Sequence, residues 1–229
     1  MFLDGFGSLI MAGTWVTIEL AVMSLLVAFV IGLLGAGGRV STNPLVNAVA
    51  TVYTTLIRGV PDLVLMLLIF YSLQIGLNKI TEALHLSQID LDPMVSGVLT
   101  LGFIYGAYFT ETFRGAFLAV PKGQIEAGVA YGLSGWQVFS RIQFPQMMRF
   151  ALPGISNNWQ VMLKATALVS IIGLADVVKA SIDAGKSSYR VFYFTVIAGL
   201  VYLALTSVSN LVLMWLERHY STGVREAEL

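Results

Sequence analysis

Few residues in this chain could carry out covalent chemistry. It has no cysteine, so a thiolate nucleophile, a thiolate metal site and a disulfide are all excluded. His85 and His219 lie in separate polar segments and make a poor metal pair. An intramembrane enzyme needs a nucleophile beside a base, or a metal cluster, and the sparse histidines argue against both. There is no GxxxxGK[ST] loop to cradle phosphates, so the chain is expected neither to bind nor to hydrolyse ATP. A formal net charge of zero gives no electrostatic footprint for nucleic acid.

What remains is the chemistry of binding, gating and coupling, carried by polar residues inside or beside apolar runs. Such residues are functional candidates by default. Glu111 and Arg114 stand at i, i+3 and can pair on one helix face, as a structural pair or as a gate. Arg58 and Asp62 flank Gly59 and Pro61. An acid suits a helix N-terminus and an arginine can snorkel, so these two read first as boundary markers. Asn157, Gln160 and Lys164 share one helical face, with Asn158 and Ala165 on the next and Thr166 following. A row of amides facing a bundle interior suits a hydrated path for a zwitterion. Inter-helix hydrogen bonding explains it equally well.

These residues must be positioned by membrane helices. Hydrophobic residues make up 57% of the 229 and charged residues only 11%, with a mean hydropathy of +0.81. A water-soluble domain carries about 25% charged residues, so much of this surface must face lipid. Runs of roughly 20 apolar residues place spans at about 14–38, 58–79, 93–116, 152–175 and 191–216. Together they form one all-α bundle over 13–216, between an N-terminal segment 1–12 and a polar tail 217–229. The N-terminus has Asp4 and no early Lys or Arg, so the first run is expected to be retained as a span. Asn43 is a candidate cap before Pro44, and a helix break is expected at Gly59-Val60-Pro61. Residues 79–92 and 176–190 read as polar loops.

Five spans put the termini on opposite sides. With the N-terminus outside, Arg39, Arg58, Arg114, Lys122, Arg141, Arg149, Arg218 and Arg225 fall inside. Lys79, Lys179, Lys186 and Arg190 fall outside, and the positive-inside rule favours this orientation. The polar loop 121–148 is then cytoplasmic.

That loop contains "EAGVAYGLSGWQVFSRIQFPQ", Glu126 to Gln146. Ile125, Val129 and Leu133 make one apolar stripe. Ser134 with Gln137 matches a capping box that opens a second helix. Trp136, Phe139 and Ile142 make another stripe, and Pro145 is expected to limit it. Such a segment could lie on lipid headgroups or dock into a groove of a cytosolic partner.

Glu126-Ala127, then Gly132, then Ile142-Gln143-Phe144-Pro145 resembles the EAA signature of permeases in ATP-binding-cassette importers, with its spacing kept. Gly128 stands in place of the third alanine and Phe144 in place of the leucine. The stretches "YTTLIRGVPDLVLMLLIFYSLQI", "GFIYGAYFTETFRGAFLAVPKGQIEA" and "ALPGISNNWQVMLKATALVSIIGLADVVK" are similar to the polar-amino-acid branch of those permeases. Systems for histidine, lysine, arginine and ornithine are the nearest in kind.

The resemblance implies a type I importer permease fold with five spans in a bacterial inner membrane, N-terminus periplasmic and C-terminus cytoplasmic. It implies basic L-amino acids as substrates; another polar amino acid, an opine or an ion-gradient mechanism are the alternatives. It also implies a second homologous permease, two cytosolic ATPase subunits and a periplasmic binding protein as partners. ATP and Mg would be used by the ATPase and no cofactor held by this chain. In this family the EAA segment is the coupling helix, which makes Glu126, Ala127, Gly132, Ile142 and Pro145 the expected contact and hinge residues. Symmetric members that bind basic amino acids tend to have acids where this chain has Asn158 and Ala165. A heterodimer, with the second permease supplying the carboxylate, follows as the expectation.

Overall fold

The computed structural model describes residues 2–220, and all regular structure among them is helical. Nine α-helices follow in order: α1 (Gly7–Arg39), α2 (Pro44–Gly59), α3 (Asp62–Ala83), α4 (Pro93–Ala119), α5 (Lys122–Ala130), α6 (Gly135–Val138), α7 (Phe144–Ala165), α8 (Val177–Ser187) and α9 (Val191–Tyr220). A 3-10 turn at Phe2–Gly5, a π-helical turn at Phe139–Gln143 and a 3-10 stretch at Thr166–Ile172 complete the path. Most of the expected tail, including Arg225, lies outside the described residues.

Local chemistry sets the starts of several helices. The Asn43 side chain accepts from the Leu45 backbone N–H at 3.0 Å, and Pro44 follows where no donor is needed. Asp92 does the same for α4, accepting from Val95 at 2.9 Å ahead of Pro93. The break between α2 and α3 falls where the sequence places it. Val60 and Pro61 are extended, because proline disfavours a helical conformation in the residue before it.

α4 is the central element. Leu101, Ile104, Tyr105, Phe109 and Phe113 are each at most 1% exposed. α1 lies along α4 for most of its length, and the approach is close enough to require small residues. A Cβ on Gly32 would sit 2.5 Å from the Phe109 Cβ. At the far end of the contact the Arg39 guanidinium donates to Glu111. By contrast, α3 and α9 bury little within the chain and present Leu68, Ile75, Leu203 and Leu211 outward. Helices α1, α3, α4 and α9 are each long and apolar enough to cross a membrane. A fifth crossing is counted if the run Gly135–Ser187, bent by 53°, is one span.

Three sequence expectations change. Residues 176–190 are not a loop, since Asp176 caps α8 by accepting from the Lys179 N–H at 2.9 Å. Val177, Ala180, Ser181 and Ala184 then bury against α1 and α9. The Val177 N–H donates to Thr17 at 3.1 Å. The loop expected from Lys79 begins later, because α3 continues to Ala83. Pro145 does not end a helix: the π turn passes directly into α7, and the widened turn takes in a proline that has no N–H to donate.

Replacing Gly32 with valine forces α1 away from Phe109. The expected loss is about 1–3 kcal/mol of stability, read as a lower unfolding temperature of the purified protein in detergent.

Candidate functional site

Two sites follow from the fold: a hairpin at one end of α4 and α7, and a polar face on α4 met by the α2–α3 break and by α7.

The hairpin is α5, a turn and α6. α5 ends in a Schellman motif, with the Leu133 N–H donating to Gly128 O at 3.2 Å and the Gly132 N–H to Val129 O at 2.9 Å. This needs a left-handed residue, and Gly132 supplies it at φ +78°. The Ser134–Gln137 capping box then starts α6, both of its hydrogen bonds present. Inside the hairpin Ile142 packs over Gly128 so closely that a Cβ there would lie 2.6 Å from Ile142 Cδ1. The glycine in place of the signature's third alanine therefore fits this packing.

Each expected stripe divides between two faces. Ile125 packs inward against the core and Leu133 is half-buried, while Val129 is exposed. Phe139 is half-buried with its ring centroid 5.8 Å from Phe144 and 6.3 Å from Phe117, so it joins the hairpin to α7 and α4. Trp136 stacks on Phe139 at 5.6 Å yet is 73% exposed, and Tyr131 is 89% exposed. Glu126 and Ala127 also face outward, and Glu126 has no hydrogen-bond or ion-pair partner among the described residues. The hairpin is thus seated on the bundle by aromatic contacts and offers aromatic and acidic groups on its other side.

Next to it, Glu111 accepts from Arg39 Nε at 3.0 Å and from Arg114 Nε at 2.8 Å. Arg39 also donates to Thr51 on α2. The pair expected on one helix face is in fact a three-residue bridge across α1 and α4. A polar cavity of about 260 Å³ opens beside it, lined by Arg39, Thr54, Thr55, Arg58, Gly59 and Glu111.

On α4, Tyr105, Tyr108 and Thr112 recur at i, i+3 and i+7 and so share a face. The Tyr105 hydroxyl donates to Asp62 Oδ2 at 2.8 Å. The Arg58 guanidinium lies 5.5 Å from the Tyr108 ring centre. Asn158 on α7 donates to Thr112 at 3.0 Å. Pro61 and Gly59 are exposed at the break itself.

The amide row of α7 separates. Asn158 turns inward to α4, whereas Gln160 donates to Asn210 on α9 at 3.1 Å. Thr166 lies 3.0 Å from the Tyr202 hydroxyl, also on α9. Asn157 and Lys164 are exposed on the outer face of α7. Sequence reasoning missed Thr112, Tyr105 and Tyr108, whose only signal was their spacing on an apolar helix. Among the described residues no group of acids and histidines could hold a metal.

Gly132→Val forces a β-branched residue into the left-handed region, at about 1–2 kcal/mol. Protease cleavage between residues 130 and 135 should quicken while unfolding of the bundle stays unchanged; Gly132→Asn, which tolerates this conformation, should show a smaller effect.

Comparison with known proteins agrees with this architecture. Residues 6–225 match the family described as binding-protein-dependent transport system inner membrane component. The chain is 63% identical to the histidine/lysine/arginine/ornithine transport system permease protein HisQ of Escherichia coli K12, over 99% of this chain and 100% of that one. It is 38% identical to the arginine ABC transporter permease protein ArtQ of Haemophilus influenzae, covering 96% and 97%. It is 35% identical to the octopine permease OccQ of Rhizobium radiobacter, covering 97% and 94%. Among solved structures, an amino acid ABC transporter crystallised with histidines is 29% identical and superimposes with a TM-score of 0.78, over 93% and 94% of the two chains. The MetNI methionine transporter, 14% identical over 95% and 98%, shares the fold with a TM-score of 0.72. This chain is therefore a multi-pass member of the binding-protein-dependent transport system inner membrane component family.

Proposed function

We propose that this permease carries basic L-amino acids, histidine, arginine, lysine and ornithine, across the bacterial inner membrane in an ATP-driven importer. It crosses the bilayer five times, with α6 to α8 as one bent crossing, the N-terminus periplasmic and the C-terminus cytoplasmic. The distribution of Lys and Arg supports that orientation. A periplasmic binding protein delivers the substrate. A second homologous permease completes the path, and two cytosolic subunits bind ATP and Mg and hydrolyse the nucleotide. The substrate class rests on the 63% relative named for those four amino acids; the octopine relative, at 35%, makes an opine the weaker reading.

The observation that carries the mechanism is the two-sided hairpin. Phe139 fixes it to Phe117 and Phe144, while Tyr131 and most of Trp136, which also touches Phe139, stay exposed. An exposed aromatic pair on a short helical hairpin suits a groove on a partner protein. Few basic side chains accompany it, which disfavours a headgroup-bound helix. Closure of the ATPase pair would push the hairpin, and the aromatic seat would pass the movement to α4 and α7.

Along the path, Asn157 and Lys164 expose polar groups on a membrane helix, which marks this face of α7 as turned to water or to the second permease. The chain has Asn158 and Ala165 where a cation would be met by acids, so the second permease supplies that carboxylate.

The test is cross-linking. With cysteine at position 131 or 136 and a short bifunctional reagent, the permease in membranes should join an ATPase subunit, and ATP should change the yield. Adducts with phospholipid alone would overturn the docking role.

A further inference from the structure

The charges at the α2–α3 break are arranged in a way that helix-end electrostatics does not exhaust. Arg58 in the last turn of α2 and Asp62 in the first turn of α3 each complement a helix dipole. That accounts for their presence but not for their separation. Opposite charges so near in sequence attract and can reach each other. Arg58 and Asp62 make no ion pair with each other, whereas Glu111 takes both Arg39 and Arg114. Asp62 is instead held by the Tyr105 hydroxyl at 2.8 Å, and Arg58 lies over the Tyr108 ring.

The two tyrosines are themselves stacked, with centroids 5.4 Å apart and planes at 28°. One of them holds the acid and the other lies against the guanidinium. Both charged groups can be reached, since Arg58 is exposed and Asp62 half-buried. The polar cavity shared with Arg39 and Glu111 reaches Arg58 from one side.

We propose that this gap receives the head group of the transported amino acid, the α-ammonium at Asp62 and the α-carboxylate at Arg58. Those two groups occupy adjacent positions on every α-amino acid, and the acid and the guanidinium here contact two stacked rings. Guanidinium is suited to carboxylate by its planar fork of donors, and the Tyr108 ring lies against Arg58 on the α4 side. The substrate side chain then follows the same face of α4 toward Thr112 and Asn158, about 6 Å beyond Tyr108 at 1.5 Å per residue. Asn158 meets the side chain with an amide, which leaves discrimination of the side-chain cation to the second permease. Asp62 and Arg58 thus set the requirement for an α-amino acid rather than for a basic one.

The assignment rests on the importer reading, and the test separates the two. The full complex, with the second permease and the ATPase, is placed in nanodiscs without binding protein. Calorimetry measures L-lysine, cadaverine, which lacks the carboxylate, and Nα-acetyl-L-lysine, which lacks the α-ammonium. The wild type should prefer lysine over each analogue by about tenfold or more, the size expected for a lost charged hydrogen bond. Asp62→Asn keeps an acceptor for Tyr105 and removes the charge, so it should abolish the preference over Nα-acetyl-lysine and keep that over cadaverine. Arg58→Gln should do the reverse. Ratios are insensitive to a fraction of misfolded protein. Equal weakening of all three ligands, unchanged ratios, or no lysine binding by the wild type would overturn the assignment. ATP-driven uptake of lysine by the wild type with its binding protein would meanwhile uphold the importer reading, and its absence would overturn that reading instead.

Discussion

The proposed coupling depends on the seat of one aromatic ring. Phe139 lies between Phe117 on α4 and Phe144 on α7, and Trp136 rests on its far side. The other contacts that hold the hairpin include Ile142 over Gly128, the buried Val138, Ile125 against the core, and a hydrogen bond from Gln146 to Gln124 at 3.2 Å. Contacts of this kind transmit compression well because packed side chains resist overlap. They also let a hairpin tilt without breaking a covalent or charged tie. The π turn beside it extends the same logic, since it lets the hairpin merge into α7 without a flexible linker.

In the proposed coupling, motion delivered there passes to α4, the most enclosed of the spans, and through it to the polar face that carries Tyr105, Tyr108 and Thr112. The Arg39–Glu111–Arg114 bridge lies between hairpin and polar face and ties α1 to α4. The bridge and the close packing of the two helices tie α1 to α4, whereas α3 and α9 bury less of their surface within the chain. Those two also present the broad apolar faces available to lipid or to a second permease.

Much of this was legible in the sequence because short-range chemistry determined it. The cap at Asn43, the break before Pro61, and the hinge at Gly132 with its capping box at Ser134 each depend on residues a few positions apart. Pro145 and the run 176–190 were misread for a common reason. A proline in the first turn of a helix and a polar run with one buried stripe both look like interruptions until the packing partner is known. The amide row of α7 could not be apportioned from periodicity, since Asn158 and Gln160 find partners on α4 and α9, tens of residues away. The head-group site was hidden for the same reason. Arg58 and Asp62 read as boundary markers because the tyrosines that contact them are about 45 residues downstream.

The most direct measurement of the central claim is the stoichiometry of coupling in proteoliposomes containing the whole importer, comparing wild type with Phe139→Ala. Truncating the ring removes the seat but leaves the exposed Tyr131 available to the ATPase. The account predicts that the complex still assembles and hydrolyses ATP, while the ATP consumed per amino acid transported rises about tenfold, the scale of 1.4 kcal/mol. An unchanged ratio, with uptake intact, would contradict the claim that force enters the membrane bundle through this contact.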